Sequence, residues 1–162
     1  MLLDILRFPD PKLRRLSEPV AEITDDIIKF CADLSETMIE RDGVGLAAPQ
    51  VGWAIRIFVL NDRGPKIFIN PEVIENLSPM VAEIEGCLSF PEIFIKVARP
   101  ESVTVKAMAL DGTMFEEAYS GLMARAALHE QDHLNGKLLI DHVSWLKREF
   151  ILKKLKKAKA QW

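Results

Sequence analysis

His129 and Glu130, followed by His133, are the residues whose types and spacing point most directly to chemistry. On a helix the two histidines stand one turn apart on one face, where two imidazoles can grip one divalent ion. Glu130 lies beside them and can reach a water on that ion without being a ligand, the arrangement of metal-assisted hydrolysis. Ser120 can cap the start of such a helix, Gly136 can end it, and the residues between are good helix formers. Leu122, Ala124, Ala126, Ala127 and Leu128 leave little of it polar, so the helix reads as buried. Buried imidazoles and carboxylates need partners, and a metal supplies them.

A catalytic ion needs a third protein ligand and one open position. A metzincin-like continuation is excluded, because Gly136 fits that pattern but Leu139 stands where a histidine is required. A downstream glutamate, as in thermolysin-like peptidases, would have to be Glu149, which sits in a basic tail beside Lys147 and Arg148. Cys87 is the preferred ligand. It follows a glycine between strands, and two imidazoles with one thiolate leave a fourth site for water. Cys31, the other cysteine, falls on the apolar face of a helix and reads as a core thiol.

These residues need a frame. After a lead-in broken by Pro9, Pro11 and Pro19, Thr24 with Asp25 and Asp26 marks a helix start. Ile27, Ile28, Cys31, Leu34, Met38 and Ile39 recur at helical spacing, and Gly43 is expected to end the run. Residues 43–52 are glycine-rich, consistent equally with a tight helix-to-strand connection and with backbone coming close to a ligand or to another segment; Gln50 is their one long polar side chain. Strands are expected at 55–60 and at 66–70, the second stopped by Pro71. An antiparallel pair is expected from 72–77 and 80–84, then strands at 93–98, 102–110 and 113–119, the last two joined at Asp111-Gly112. A short strand is expected at 137–140, and His142 is given no task. Ser144 opens a last helix with Leu146, Phe150, Ile151 and Leu155 as its docking stripe and Lys153, Lys154, Lys156, Lys157 and Lys159 outside. The fold class is α+β, with antiparallel sheets packed around the central metal-binding helix, an N-terminal helix before them and a basic helix after.

The 162 residues, 49% of them hydrophobic, suit a single domain spanning 1–162 with one sizeable core. No apolar run approaches a membrane span, Met1-Leu2-Leu3-Asp4 is not a signal peptide, and two cysteines do not make a disulfide framework. A reducing, cytoplasmic setting follows. Residues 147–162 carry seven Lys or Arg against Glu149, so a +6 tail follows a −9 body in a chain of net charge −3. A solvated face is the plainer reading of that tail, a nucleic-acid or membrane surface the other.

Residues 43–52 (GVGLAAPQVG), 85–89 (EGCLS) and 129–136 (HEQDHLNG) resemble, in order and spacing, the three motifs of the peptide deformylases. Residues 5–11 with Leu13, Arg99-Pro100, the Asp111-Gly112 hairpin and the basic last helix extend the resemblance over nearly the whole chain. It implies that Cys87, His129 and His133 hold a divalent metal, usually Fe(II) in the cell, with Zn(II), Ni(II) or Co(II) able to replace it. It also implies attack of a metal-activated water on the formyl group of formyl-methionyl nascent peptides. Glu130 then acts as general base and acid, and the Gln50 amide and Leu88 N–H meet the oxyanion. The peptide would add as a strand against Val44-Gly45 and Gly86, with Val44, Leu122 and the stem of Arg125 forming the methionine pocket. Glu85 is expected to pair with Arg99 and brace the cysteine loop. The chain departs from the commonest family pattern at Leu128, Phe90 and 92–94, which bears on pocket shape.

Two other classes fit parts of the pattern: a metallopeptidase without a thiolate ligand, and a metal-stabilised protein that delivers its basic helix to the ribosome. The second combines with the enzyme reading if the tail docks ribosomal RNA. Neither DNA nor a membrane is expected as a partner.

Overall fold

The structure is a computed structural model that describes residues 1–159; residues 160–162 and the Lys159 side chain lie outside the described residues. Among the described residues, α1 (Asp25–Glu40), α2 (Gly121–Leu134) and α3 (Trp145–Lys159) accompany two antiparallel sheets. The larger has the order β1 (Gly45–Ala47), β2 (Ile57–Asn61), β3 (Pro65–Glu75), β6 (Ser102–Met108), β7 (Met114–Ser120). The smaller is a ribbon of β4 (Met80–Cys87) and β5 (Phe90–Pro100). The expected α+β arrangement is present, with α2 between the sheets: Ala124, Ala127, Leu128 and Leu134 pack on Phe58, Phe68 and Val105 of the larger sheet. No helix among the described residues is long and apolar enough to cross a membrane.

α1 begins as its sequence suggests. Thr24 accepts a hydrogen bond from Ile27 N at 3.3 Å, and Ile27, Cys31, Leu34 and Met38 are buried. Its end differs: Asp42, at φ 52°, takes the left-handed turn, and Gly43 N donates to Met38 O at 2.9 Å. Gly43 sits in a tight place, where a Cβ would lie 3.2 Å from Leu88 Cδ1 and 3.3 Å from Met38 O.

The strand pairing corrects several expectations. β3 does not stop at Pro71 but runs on to Glu75, because a bulge at Asn70 (φ 50°) carries the proline through the shift in register. Asn70 secures the bulge through both its amide groups, bonding Val20 N at 2.8 Å and Val20 O at 2.9 Å. Residues 72–77 and 80–84 do not form a hairpin. The end of β3 pairs with β6 (Val73 opposite Val105), and β4 pairs with β5, turning at Leu88-Ser89. The β6–β7 hairpin at Asp111-Gly112 forms as expected. Residues 137–140 are not a strand; Leu139–His142 is a 3₁₀ turn in which Asp141 Oδ2 accepts from Leu138 N at 2.8 Å.

In α3, Ile151 and Leu155 are buried against Leu13, Leu138, Leu139 and Ile140, as the docking stripe requires. Leu146 and Phe150 are not part of it. They are 74% and 70% exposed, so the buried stripe is narrower than the spacing suggested.

Candidate metal centre

β4 ends in a register shift between Gly86 and Cys87, which leaves the thiol on the flank of the ribbon that faces α2. α2 presents His129 and His133 from its buried side. Ser120 occupies its N-cap position without a side-chain cap bond, and Asn135 is the C-cap, followed by Gly136 at φ 70°. Glycine is required at 136 twice over, since a Cβ would also come within 2.6 Å of Arg14 O.

Cys87 Sγ lies 3.3 Å from His133 Nε2, which lies 3.2 Å from His129 Nε2. All three ligand atoms fall within 4.8 Å of one another. A tetrahedral ion with bonds of about 2.0–2.3 Å spaces its ligands by roughly 3.3–3.8 Å, so the cluster fits a divalent metal. The protonation pattern agrees. Glu85 Oε1 lies 2.9 Å from His129 Nδ1, and because a carboxylate can only accept, Nδ1 carries the proton and Nε2 is the nitrogen offered to a metal.

Glu85 is the hub of the ribbon side. It accepts from Arg99 Nε and Nη2 at 2.8 Å each and from Arg125 Nη1 at 2.7 Å. Burial works to raise its carboxyl, and the bonds from Arg99 and His129 outweigh burial and hold it well below the usual carboxylate range. The expected Glu85–Arg99 pair is therefore present. Arg125 also donates to Val97 O and Val81 O at 2.7 Å, so its guanidinium staples both ribbon strands to α2 while the residue lines the cleft.

Glu130 stands on the other side of His129. Among the described residues its Oε2 has no hydrogen-bond partner, and burial pushes the carboxyl up to about 7, His129 pulling it down and Glu85 adding to the rise. β1 passes directly over it. A Cβ on Gly45 would lie 2.5 Å from Glu130 Oε1, which resolves the open question about residues 43–52 in favour of a close approach. Gln50 is buried in the short helical turn that follows; its Oε1 accepts from Ala47 N at 2.9 Å. Its Nε2 donates to Ser89 Oγ at 3.1 Å and lies 3.6 Å from Cys87 Sγ.

These groups share a cleft of about 940 Å³, whose lining also includes Val44, Gly86, Leu88, Phe94 and Leu122. Every site residue named from the sequence is thus at the cleft or in the Cys/His/His cluster. Leu128 is not, because it packs into the core beneath α2. Three contributors escaped the sequence. Ser89 orients Gln50, and its place inside the 85–89 motif was a usable signal. Asp132 receives Arg99 Nη1 at 3.0 Å and His142 Nε2 at 2.8 Å, a link that only the return of the chain after α2 creates.

An HExxH helix facing a cysteine across an α+β frame defines a metal-dependent hydrolase with a Cys/His/His ligand set. The chain belongs to the polypeptide deformylase family, whose family model matches residues 2–149. It is 46% identical to a peptide deformylase of Pseudomonas aeruginosa, over 99% of this chain and 98% of the relative. It is 45% identical to that of Acinetobacter baumannii, over 96% and 91%. A solved peptide deformylase from Legionella pneumophila superposes with a TM-score of 0.93 at 38% identity, over 99% of this chain and 97% of the other. The reaction is deformylase-type hydrolysis of formyl-methionyl peptides, releasing formate.

Proposed function

We propose that Glu130 moves the proton in this hydrolysis, taking it from the attacking water and returning it to the amine of methionine. The observation that carries the assignment is a buried carboxylate, open at Oε2, beside three convergent ligand atoms. Cys87, His129 and His133 would hold the ion, Fe(II) in the cell, with Zn(II), Ni(II) or Co(II) able to take its place. When bound, the ion supplies a Lewis acid that lowers the pKa of a water and polarises the formyl oxygen.

The chain's own groups account for the rest. The oxyanion is met by Gln50 Nε2, held in place through Ala47 N and Ser89 Oγ, and by the backbone N–H of Leu88. The peptide lies as an added strand between Gly86 and Val44-Gly45, so main-chain bonds accept any sequence. Its methionine side chain points inward, against Val44, Leu122 and the stem of Arg125. Residues 1–162 act as one domain, in the cytoplasm, where reducing conditions keep Cys87 competent as a ligand.

Exposed Lys153, Lys154, Lys156 and Lys157 on α3 support a contact with ribosomal RNA near emerging chains. Removing the helix would uncover Ile151 and Leu155, so charge reversal at Lys153, Lys154 and Lys157 is the cleaner test of that contact. Ribosome binding that survives reversal with its salt dependence intact rules it out.

The catalytic assignment is tested by formate release from formyl-Met-Ala-Ser, using anaerobically prepared protein. Glu130→Gln should lower kcat by about 10²–10⁴-fold with metal content unchanged. Undiminished turnover would place the proton transfer elsewhere.

A further inference from the structure

Large apolar side chains stand in the open on the face of the ribbon that points away from α2. Ile84 is 68% exposed and Phe94 69%, and both line the catalytic cleft. The pleat explains their company. Ile84 pairs with Lys96 and Gly86 with Phe94, so all four share one face, whereas Glu85, Ile95 and Val97 are buried on the other. Gly86 leaves a gap in that face, and the Phe94 ring occupies it: a Cβ on Gly86 would lie 3.1 Å from Phe94 Cε1 and 3.3 Å from Cδ1.

The ribbon has only two strands, so the β4 edge opposite β5 has no strand partner among the described residues. A peptide added at that edge continues the pleat, and its side chains alternate between the two faces. Methionine must point inward, on the face that carries Glu85 toward His129, if its formyl group is to reach the metal centre. The next side chain then emerges on the outer face beside Gly86, where the phenyl ring lies. An aromatic surface in that position gains contact area from an apolar neighbour and almost none from glycine.

We propose that Phe94, laid over Gly86 and flanked by Ile84, receives the side chain of the second substrate residue and makes the enzyme select apolar or aromatic residues there. This rests on the strand-addition reading of the peptide given above.

The test is kcat/KM for formyl-Met-Xaa-Ser with Xaa as Phe, Leu, Ala and Gly, measured on the metal-loaded wild type and Phe94→Ala. The wild type should favour Phe and Leu over Gly by roughly five- to tenfold. Phe94→Ala should flatten the series, lowering kcat/KM for the Phe and Leu peptides by several-fold more than for formyl-Met-Gly-Ser. Phe94→Leu should keep the preference for Leu and lose part of that for Phe. An unselective wild type, or an undiminished preference in Phe94→Ala, overturns the proposal. So does a Phe94→Ala effect confined to the third residue, because the side chains would then alternate the other way. N-methylation of the substrate's backbone amides tests strand addition separately. If methylated peptides react poorly and Phe94→Ala changes nothing, strand addition stands and the role of Phe94 falls.

Discussion

His129 has a glutamate on either side, and the two could hardly be treated more differently. Glu85 and Glu130 are both nearly inaccessible to solvent. Glu85, on the ribbon, is wrapped by Arg99, Arg125 and the His129 ring and stays ionised. Glu130, on α2, has an oxygen with no partner among the described residues and a carboxyl pushed up to about 7 by burial. A carboxylate whose lone pairs are all engaged is a strut. One left open in a dry site is available for reaction, and the fold gives up stability to keep it so.

The contrast can be broken from either side. The largest effect should be catalytic. Glu130→Gln loses turnover as described above, yet its melting temperature should hold or rise, since a poorly satisfied acid is replaced by a neutral amide. A fall of more than a few degrees would make Glu130 structural after all. Glu85→Ala should invert the pattern. It leaves the buried Arg125 guanidinium with carbonyl acceptors only and Arg99 with Asp132 as its one remaining anion, destabilising the fold by about 3–5 kcal/mol in denaturant titrations, and frees His129 Nδ1, weakening metal binding by about 10–100-fold.

Gly45→Ala sharpens the Glu130 side. Its methyl group must displace Oε1, and a shift of that size in a reacting group costs about 10²-fold in kcat, with KM little changed. Wild-type kcat in that variant would mean that β1 yields instead. The smallest effect belongs to Asp141, an acid flanked by Arg14 and Arg148 but far more accessible than Glu85. Burial is the largest single influence and raises its carboxyl, but the bonds from Arg14 and Leu138 N, with the charges of Arg14 and Arg148, together outweigh it and lower it. Its contribution is therefore present above the unfolded carboxyl value near pH 4 and is lost as pH falls through the lower folded value. Solvent screening limits it to roughly 0.5–1 kcal/mol. Urea titrations of Asp141→Asn at pH 7 and pH 3 should differ from wild type at the first pH and converge toward it at the second.

Much of the site was legible because its chemistry is local. His129, Glu130 and His133 declare themselves by helical spacing, and Cys87 by its place after a glycine in a motif between strands. Residues 85–89 and 43–52 added their partners through the resemblance. Strand pairing was not legible beyond neighbours joined by a short turn, β2 with β3 across 61–65 and β6 with β7. Apolar alternation in 72–84 says that strands exist there, but not that β3 seeks β6 across thirty residues while β4 waits for β5. The Asp132–His142 bond escaped for the same reason, because nothing in either residue's surroundings announces the other. Leu146 and Phe150 show a further limit: periodicity marks an apolar face, and whether anything covers it depends on how far the core extends.

The ligands come from two separate pieces of the molecule, Cys87 from the ribbon and His133 from α2, 46 residues later. An ion held by both works as a reversible cross-link that shortens the unfolded chain's largest excursions, as a disulfide would, but with a strength set by mass action. At a free metal concentration a thousandfold above Kd it contributes about 4 kcal/mol, so thermal stability becomes a readout of metal supply. Chelation should speed amide hydrogen exchange first in β4 and β5, whose ties to α2 would then rest on Glu85, Arg99 and Arg125. A cell short of metal would therefore lose folded enzyme together with active enzyme.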